Sequence, residues 1–205
     1  MTAPLPVILA STSPYRRALL ERIGLPHTAH APQFDESDAE GRDAKSCALA
    51  FAEGKARSIA DKYPGTLIIG SDQTLSLRGE TFRKPRDKAE QLSQLSRLAG
   101  SKHELHAGVV LLDTRGDRIA REVATVELTM RPLETAALEK YLALDHPDGC
   151  VGGYTFERRG ICLFGETVGA DDSAVVGLPL MSLTRCFEAL GFEIFDWLEP
   201  EPQSP

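Results

Sequence analysis

Residues 6–10 read Pro-Val-Ile-Leu-Ala and run directly into Ser11, Thr12 and Ser13, then into Pro14. An apolar stretch this short, closed by turn residues, predicts a strand buried on both faces, as parallel strands are. Ser13 before Pro14 predicts a helix start. The hydroxyl caps the helix, and proline sits at the first helical position, where its missing N–H costs nothing. Ala18, Leu19, Leu20 and Ile23 supply the apolar stripe, and Gly24 is placed to stop it. Strand, turn and helix follow one another without slack, so the chain opens as an α/β layer.

The rest of the chain keeps the alternation. Residues 27–43 are polar and are expected as a loop. Residues 44–63 predict a helix of about five turns, with Leu49, Ala52, Ala56, Ile59 and Ala60 on one side. Residues 66–70 predict a second buried strand, which delivers Ser71, Asp72 and Gln73 at its end. A helix over residues 87–98 closes at Gly100, and residues 105–112 and 118–130 predict an antiparallel hairpin. Helices over 134–144 and 178–190 bracket a short strand at 161–164. Residues 199–205 are charged and proline-rich, and are expected as a frayed tail on a single domain, residues 1–198. The class predicted is α/β: a mixed central sheet with helices on both sides.

Composition removes several functions. The chain is 42% hydrophobic and 26% charged, which excludes a disordered or fibrous protein. Its 23 Lys and Arg against 30 Asp and Glu leave a net charge of −7, a sign that repels a phosphate backbone. No nucleic-acid scaffold is expected as a partner, although a local basic pocket still suits a small phosphate ligand. No run approaches the roughly 20 apolar residues of a membrane helix, and residues 5–10 are too short for a leader, so no membrane is expected. The four cysteines, at 47, 150, 162 and 186, form no C-x-x-C pair. Free thiols in a reducing, cytoplasmic setting are the expectation.

No P-loop, dinucleotide-binding or nucleophile-elbow motif is present. The first turn is the better anion cradle, because Ser11, Thr12 and Ser13 precede a helix N-terminus with unpaired N–H groups. Arg16 and Arg17 follow at an end where helices disfavour cations, which calls for a reason other than helix stability. Asp72 ends an apolar strand, where open α/β sheets place ligand crevices, and its carboxylate can hold a divalent cation or take a proton from water. Phe34-Asp35-Glu36 offers a second carboxylate. Lys55 and Lys84 are weaker candidates, since a lone lysine is far more often solvated. The five histidines form no metal set; His103 and His106, three apart in a strand, point to opposite faces.

Taken together, Ala10-Ser-Thr-Ser-Pro-Tyr-Arg-Arg17, Phe34-Asp-Glu36, Ala52-Glu-Gly-Lys-Ala56, Ile69-Gly-Ser-Asp-Gln73, Arg83-Lys-Pro85 and Val175-Val-Gly-Leu-Pro-Leu180 resemble, in order, the Maf-like nucleoside triphosphate pyrophosphatases. The resemblance spans residues 6–192. It implies a fold related to the inosine-triphosphate pyrophosphatases, with two lobes around a cleft. It also implies hydrolysis of a nucleoside triphosphate to the monophosphate and pyrophosphate, with a divalent metal, Mg2+ or Mn2+. By position, Ser11, Ser13, Arg16, Lys55 and Lys84 match the family's phosphate-handling residues. Glu36 matches its acidic metal-site residue, and Asp72 its proton acceptor, which would also stand at the metal. The partner implied is a small-molecule nucleotide, and the family suggests a homodimer.

Within that resemblance, Tyr15, Gln73 and Glu157 stand at the positions that divide the branches. The branch cleaving dTTP and UTP carries Arg, Thr and Gln there; this chain resembles the branch acting on 7-methyl-GTP. The chemistry agrees, because N7-methylation makes guanine cationic and a tyrosine ring can stack on it with a cation–π component of roughly 0.5–2 kcal/mol. Glu157 is an acceptor suited to guanine's N1–H and N2–H donors. The alternatives are dTTP/UTP hydrolysis and, from another class, a non-catalytic nucleotide-binding regulator of cell division.

Overall fold

The computed structural model, which describes residues 4–35, 42–147 and 149–200, keeps the predicted alternation. It opens with β1 (Val7–Ala10), α1 (Pro14–Arg22) and β2 (Thr28–His30), then α2 (Ala44–Arg57), β3 (Leu67–Leu77), β4 (Glu80–Phe82) and α3 (Lys88–Leu98). A long hairpin follows, β5 (Lys102–Asp113) and β6 (Arg118–Met130), then α4 (Thr135–Asp145), β7 (Phe164–Val168), α5 (Ser173–Val176) and α6 (Leu180–Ala189). Seven strands form one sheet in the order β2–β1–β3–β5–β6–β7, with β4 also on β3. β1 pairs in parallel with β2 and β3, and the other pairings are antiparallel. The sheet is mixed, as expected.

Register decides where a site can open. β1 runs beside β3 from Val7 opposite Leu67 to Ala10 opposite Gly70, and there it ends. β4 takes up the same edge only at Leu75. Between them, Ser71, Asp72, Gln73 and Thr74 are paired on the β5 side alone. The result is a notch in the sheet at the C-terminal end of β1, where the serine turn also emerges.

Helices cover both faces. Successive strand residues point to opposite sides, so Leu9 and Ile69 join Leu20, Leu183 and Phe187 in one cluster, while Ile8 and Ile68 join Ala52, Ala56 and Val110 in another. A third cluster, with Leu75, Leu95, Leu128 and Tyr154, lies under α3 and α4. α2 sits unusually close to the sheet. A Cβ on Gly70 would stand 2.1 Å from the Ala52 carbonyl oxygen, and one on Gly108 would stand 2.4 Å from that of Ala48. Only glycine at both strand positions allows that approach. Among the described residues, no helix is long and apolar enough to cross a membrane.

Several boundaries differ from expectation, each for a local reason. β3 continues through Ser71–Leu77 because β5 offers ladder partners as far as Ser76, so Asp72 lies mid-strand and does not end it. The predicted loop at 27–43 contains β2, which pairs with the outer edge of β1. The long helix stops at Arg57. There the Ser58 hydroxyl donates to the Lys55 carbonyl oxygen (2.8 Å) and accepts from the Gln33 N–H (3.0 Å), side-chain bonds that compete with helix continuation. Residues 159–163 form a 3-10 turn, and the strand expected at 161–164 begins instead at Phe164. Glu199, assigned to the tail, donates its N–H to the Gly24 carbonyl oxygen at 2.8 Å.

His103 and His106 do face opposite sides. His106 lies 3.2 Å from the Ser76 hydroxyl and 3.0 Å from that of Thr125. His103 Nε2 lies 3.0 Å from the Tyr154 hydroxyl, while its buried Nδ1 has no hydrogen-bond partner. Burial pushes the His103 pKa down from 6.5 to about 4. Between those values the unfolded chain binds the proton and the folded one does not, so this imidazole supports the fold above pH 6.5 and that support is lost as pH falls toward 4. Urea unfolding at pH 7.5 and 4.5 should show His103→Gln losing less stability on acidification than the parent, by up to about 3 kcal/mol.

Candidate active site

Lys55 and Asp72 meet inside the protein. The close approach of α2 brings the Lys55 ammonium onto Oδ1 of Asp72, with the two residues only 6% and 5% exposed. This partner is invisible in the sequence, 17 residues apart and on different elements. The ammonium fixes the carboxylate's direction and lies at the notch edge, where a phosphate oxygen can also reach it.

The serine turn is built as expected and then tightened. Ser13 caps α1 by accepting from the Arg16 N–H at 3.4 Å, and the buried Ser11 hydroxyl accepts from the Ser13 N–H at 3.1 Å. Each hydroxyl retains its own proton to donate. Arg16 Nη1 reaches Ser11 Oγ at 3.4 Å, and its Nε donates to the Gly177 carbonyl oxygen at 2.8 Å. This explains the first arginine, since the Arg16 guanidinium is aimed across the notch. Arg17 is exposed and lies outside the cavity that Arg16 borders.

The segment around α5 was not anticipated as a site element. Gln73 Nε2 donates to the carbonyl oxygens of Ala174 (2.8 Å) and Val175 (3.0 Å), and the Ser71 hydroxyl lies 2.9 Å from that of Gly177. Gly177 has φ +112°, a conformation glycine tolerates, and a Cβ there would approach Arg16 Nε at 3.6 Å. Residues 174–177 therefore form a rigid wall held from β3 and α1. The sequence signals for it were the Gly-Leu-Pro turn composition after Val176 and the Val175–Leu180 motif of the family resemblance.

These groups converge on one cavity of about 550 Å3, the size of a small-molecule site. It is bordered by Ser11, Ser13, Tyr15, Arg16, Lys55, Asp72, Gln73, Lys84 and Glu157 together, the described residues to which the family resemblance assigned roles. Glu36 lies outside the described residues. Glu157 sits in a turn before the 3-10 segment and is exposed at the cavity edge. The protein around it nevertheless raises its carboxyl pKa above the ordinary value, through desolvation first and then the nearby Asp145 charge.

A second cavity of about 500 Å3 shares Asp72, Gln73 and Lys84 with the first and adds Asp35, Arg42 and Arg83. Among the described residues no three His, Cys, Asp or Glu side chains gather as a metal cage. Magnesium does not require one, because it binds through one or two carboxylates plus substrate phosphates. Asp72 and Asp35, bordering the same cavity, supply donors of that oxygen-only kind. The donor set fits a hard divalent cation.

A cavity bordered by Arg16, Lys55 and Lys84 thus opens at the end of a parallel strand, where open α/β sheets place their ligand crevices. The family described as Maf-like protein matches residues 6–190, and the chain belongs to it. A Hahella chejuensis protein named 7-methyl-GTP pyrophosphatase is 38% identical over 189 residues, covering 92% of this chain and 95% of the relative. Proteins of the same name from Ralstonia nicotianae and Pseudomonas fluorescens are 39% and 36% identical, covering 93% and 92% of this chain and 98% of each relative.

Removing one partner of a buried ion pair strands the other charge, which costs about 3 kcal/mol or more, whereas removing both can be nearly neutral. Asp72→Asn should therefore lower unfolding stability by about 3 kcal/mol. Adding Lys55→Met should return most of it, as denaturant midpoints of the three proteins would show.

Proposed function

We propose that this protein hydrolyses 7-methyl-GTP to the nucleoside monophosphate and pyrophosphate. The observation that carries the reading is the single cavity in which the phosphate-type residues and the three base-type residues meet. The names of the three relatives support the substrate. Cys47, Cys162 and Cys186 are free thiols, which suits a reducing, cytoplasmic setting.

Ser11, Ser13 and the first N–H groups of α1 hold phosphate oxygens, and Arg16, Lys55 and Lys84 offset their charge as it moves onto the leaving group. Asp72 takes a proton from water, whose oxygen forms a bond to the α-phosphorus. The bond from that phosphorus to the bridging oxygen breaks, and the electron pair leaves with pyrophosphate. A divalent cation, Mg2+ or Mn2+, held by Asp72 and Glu36 would neutralise phosphate charge. At the other end Tyr15 stacks on the cationic base and Glu157 accepts from its N1–H and N2–H. Gln73, committed through its amide nitrogen to residues 174 and 175, presents its carbonyl oxygen toward the Gly177 side of the pocket.

Pyrophosphate release from 7-methyl-GTP, GTP, UTP and dTTP, with Mg2+ or Mn2+ and with chelator, tests this directly. The expected result is metal-dependent turnover with 7-methyl-GTP preferred; a preference for UTP or dTTP would overturn the substrate, and nucleotide binding without release would overturn the enzyme. Asp72→Asn should lower turnover by roughly 10²-fold or more, assayed where the variant remains folded. Glu157→Gln turns one acceptor into a donor and should lower kcat/KM for 7-methyl-GTP by roughly 2–4 kcal/mol, with a smaller loss on UTP.

A further inference from the structure

Asp145 is the last residue of α4 and is 1% exposed. A carboxylate there meets the negative end of the helix dipole, and burial adds a desolvation penalty. Its partners show what holds it in place. Tyr141, one turn earlier, donates its hydroxyl to Oδ2 at 3.0 Å, and the Thr155 hydroxyl donates to the same oxygen. The Tyr141 oxygen in turn accepts the Thr155 N–H at 2.9 Å. Oδ1 takes no hydrogen bond and faces Arg158 Nε at 3.5 Å and Arg159 Nη1 at 3.6 Å.

The chain between these contacts is a tight turn. The Thr155 carbonyl oxygen accepts from the N–H groups of Arg158 (3.2 Å) and Gly160 (3.0 Å). A Cβ on Gly160 would stand 2.3 Å from that same oxygen. Thr155 and Arg158 lie on either side of Glu157, and both hang from one buried carboxylate. Glu157 borders the cavity and Asp145 does not.

The geometry points to Asp145 as a positioning residue for substrate selection, which fixes Glu157 against the base by anchoring both arms of its turn. The inference rests on the proposed role of Glu157 as the reader of the base. An anchor that acts only through Glu157 should affect 7-methyl-GTP and spare nucleotides that do not use that carboxylate. A residue that merely supports the fold should affect all substrates alike.

The test measures kcat and KM on 7-methyl-GTP and UTP, with thermal midpoints, for the parent, Asp145→Asn, Thr155→Val, Glu157→Gln and the Asp145→Asn/Glu157→Gln double variant. Asp145→Asn should raise KM for 7-methyl-GTP by about 10-fold, leave kcat within about threefold, and change kcat/KM for UTP by less than about threefold. The double variant should show the same 7-methyl-GTP to UTP ratio as Glu157→Gln alone, because both changes act through one side chain. Thr155→Val removes only the loop's hydroxyl contact and should move the ratio the same way, so it carries the test if Asp145→Asn does not fold. If Glu157→Gln leaves the ratio unchanged, the base-reading role fails and this inference fails with it. If Glu157→Gln lowers the ratio while Asp145→Asn and Thr155→Val do not, the positioning role alone is overturned. Equal losses on both substrates, or additive losses in the double variant, also overturn it.

Discussion

A buried ammonium and a buried carboxylate, Lys55 and Asp72, face each other across the seam between α2 and the sheet. Bringing both out of water is unfavourable, and their mutual attraction repays it only when the geometry is held firmly. The firmness comes from backbone contact. Gly70 and Gly108 let the α2 carbonyls of Ala52 and Ala48 rest nearly on the strands, so the helix cannot slide without opening two close contacts. The same layer carries Ile8, Ile68 and Val110 against Ala52 and Ala56, which ties the ion pair to a dry core. Apolar packing thus fixes the position of the most polar contact in the molecule's centre.

The opposite wall is assembled from irregular chain, and it needs other devices. Asp171 accepts from the Ser173 N–H at 3.2 Å and from the Met181 N–H at 2.9 Å, while the Ser173 hydroxyl oxygen accepts from Leu180 at 2.8 Å. This clamp joins α5 to the start of α6 and leaves the carbonyls of Ala174, Val175 and Gly177 directed toward β3 and Arg16. Buried polar groups of this kind stay stable only when their partners are supplied. Ser71 and Gln73 supply them from one face of β3, while Asp72, between them, turns to the other face and α2. The alternation of a strand therefore separates the wall contacts from the Lys55 ion pair along three consecutive residues.

Particular residues show how much of this was legible in the sequence. Ser13-Pro14 announced its helix, because capping is a local interaction encoded within three positions. Asp72 and Gln73 were legible as site candidates, but their mid-strand setting was not, since β3 extends only because β5, far along the chain, offers a matching ladder. Lys55 read as an ordinary solvated lysine on any local argument. Its burial depends on two glycines in other strands, information that no window around residue 55 contains. The resemblance to the Maf-like family promoted it where local physics could not. Asp145 gave no signal at all, as its partners at 155, 158 and 159 become neighbours only when the turn folds back on α4.

The charge distribution follows from the same division. The chain is acidic overall at −7, yet the cavity draws Arg16 from α1, Lys55 from α2 and Lys84 from the segment after β4. Three separate elements thus bring cations to one cavity, and there Lys55 meets the Asp72 carboxylate. An acidic exterior repels polyanions, while a recessed basic patch with low-dielectric walls still attracts a compact one. Glu157 stands at the rim of the same cavity, on a turn whose two arms meet one buried carboxylate.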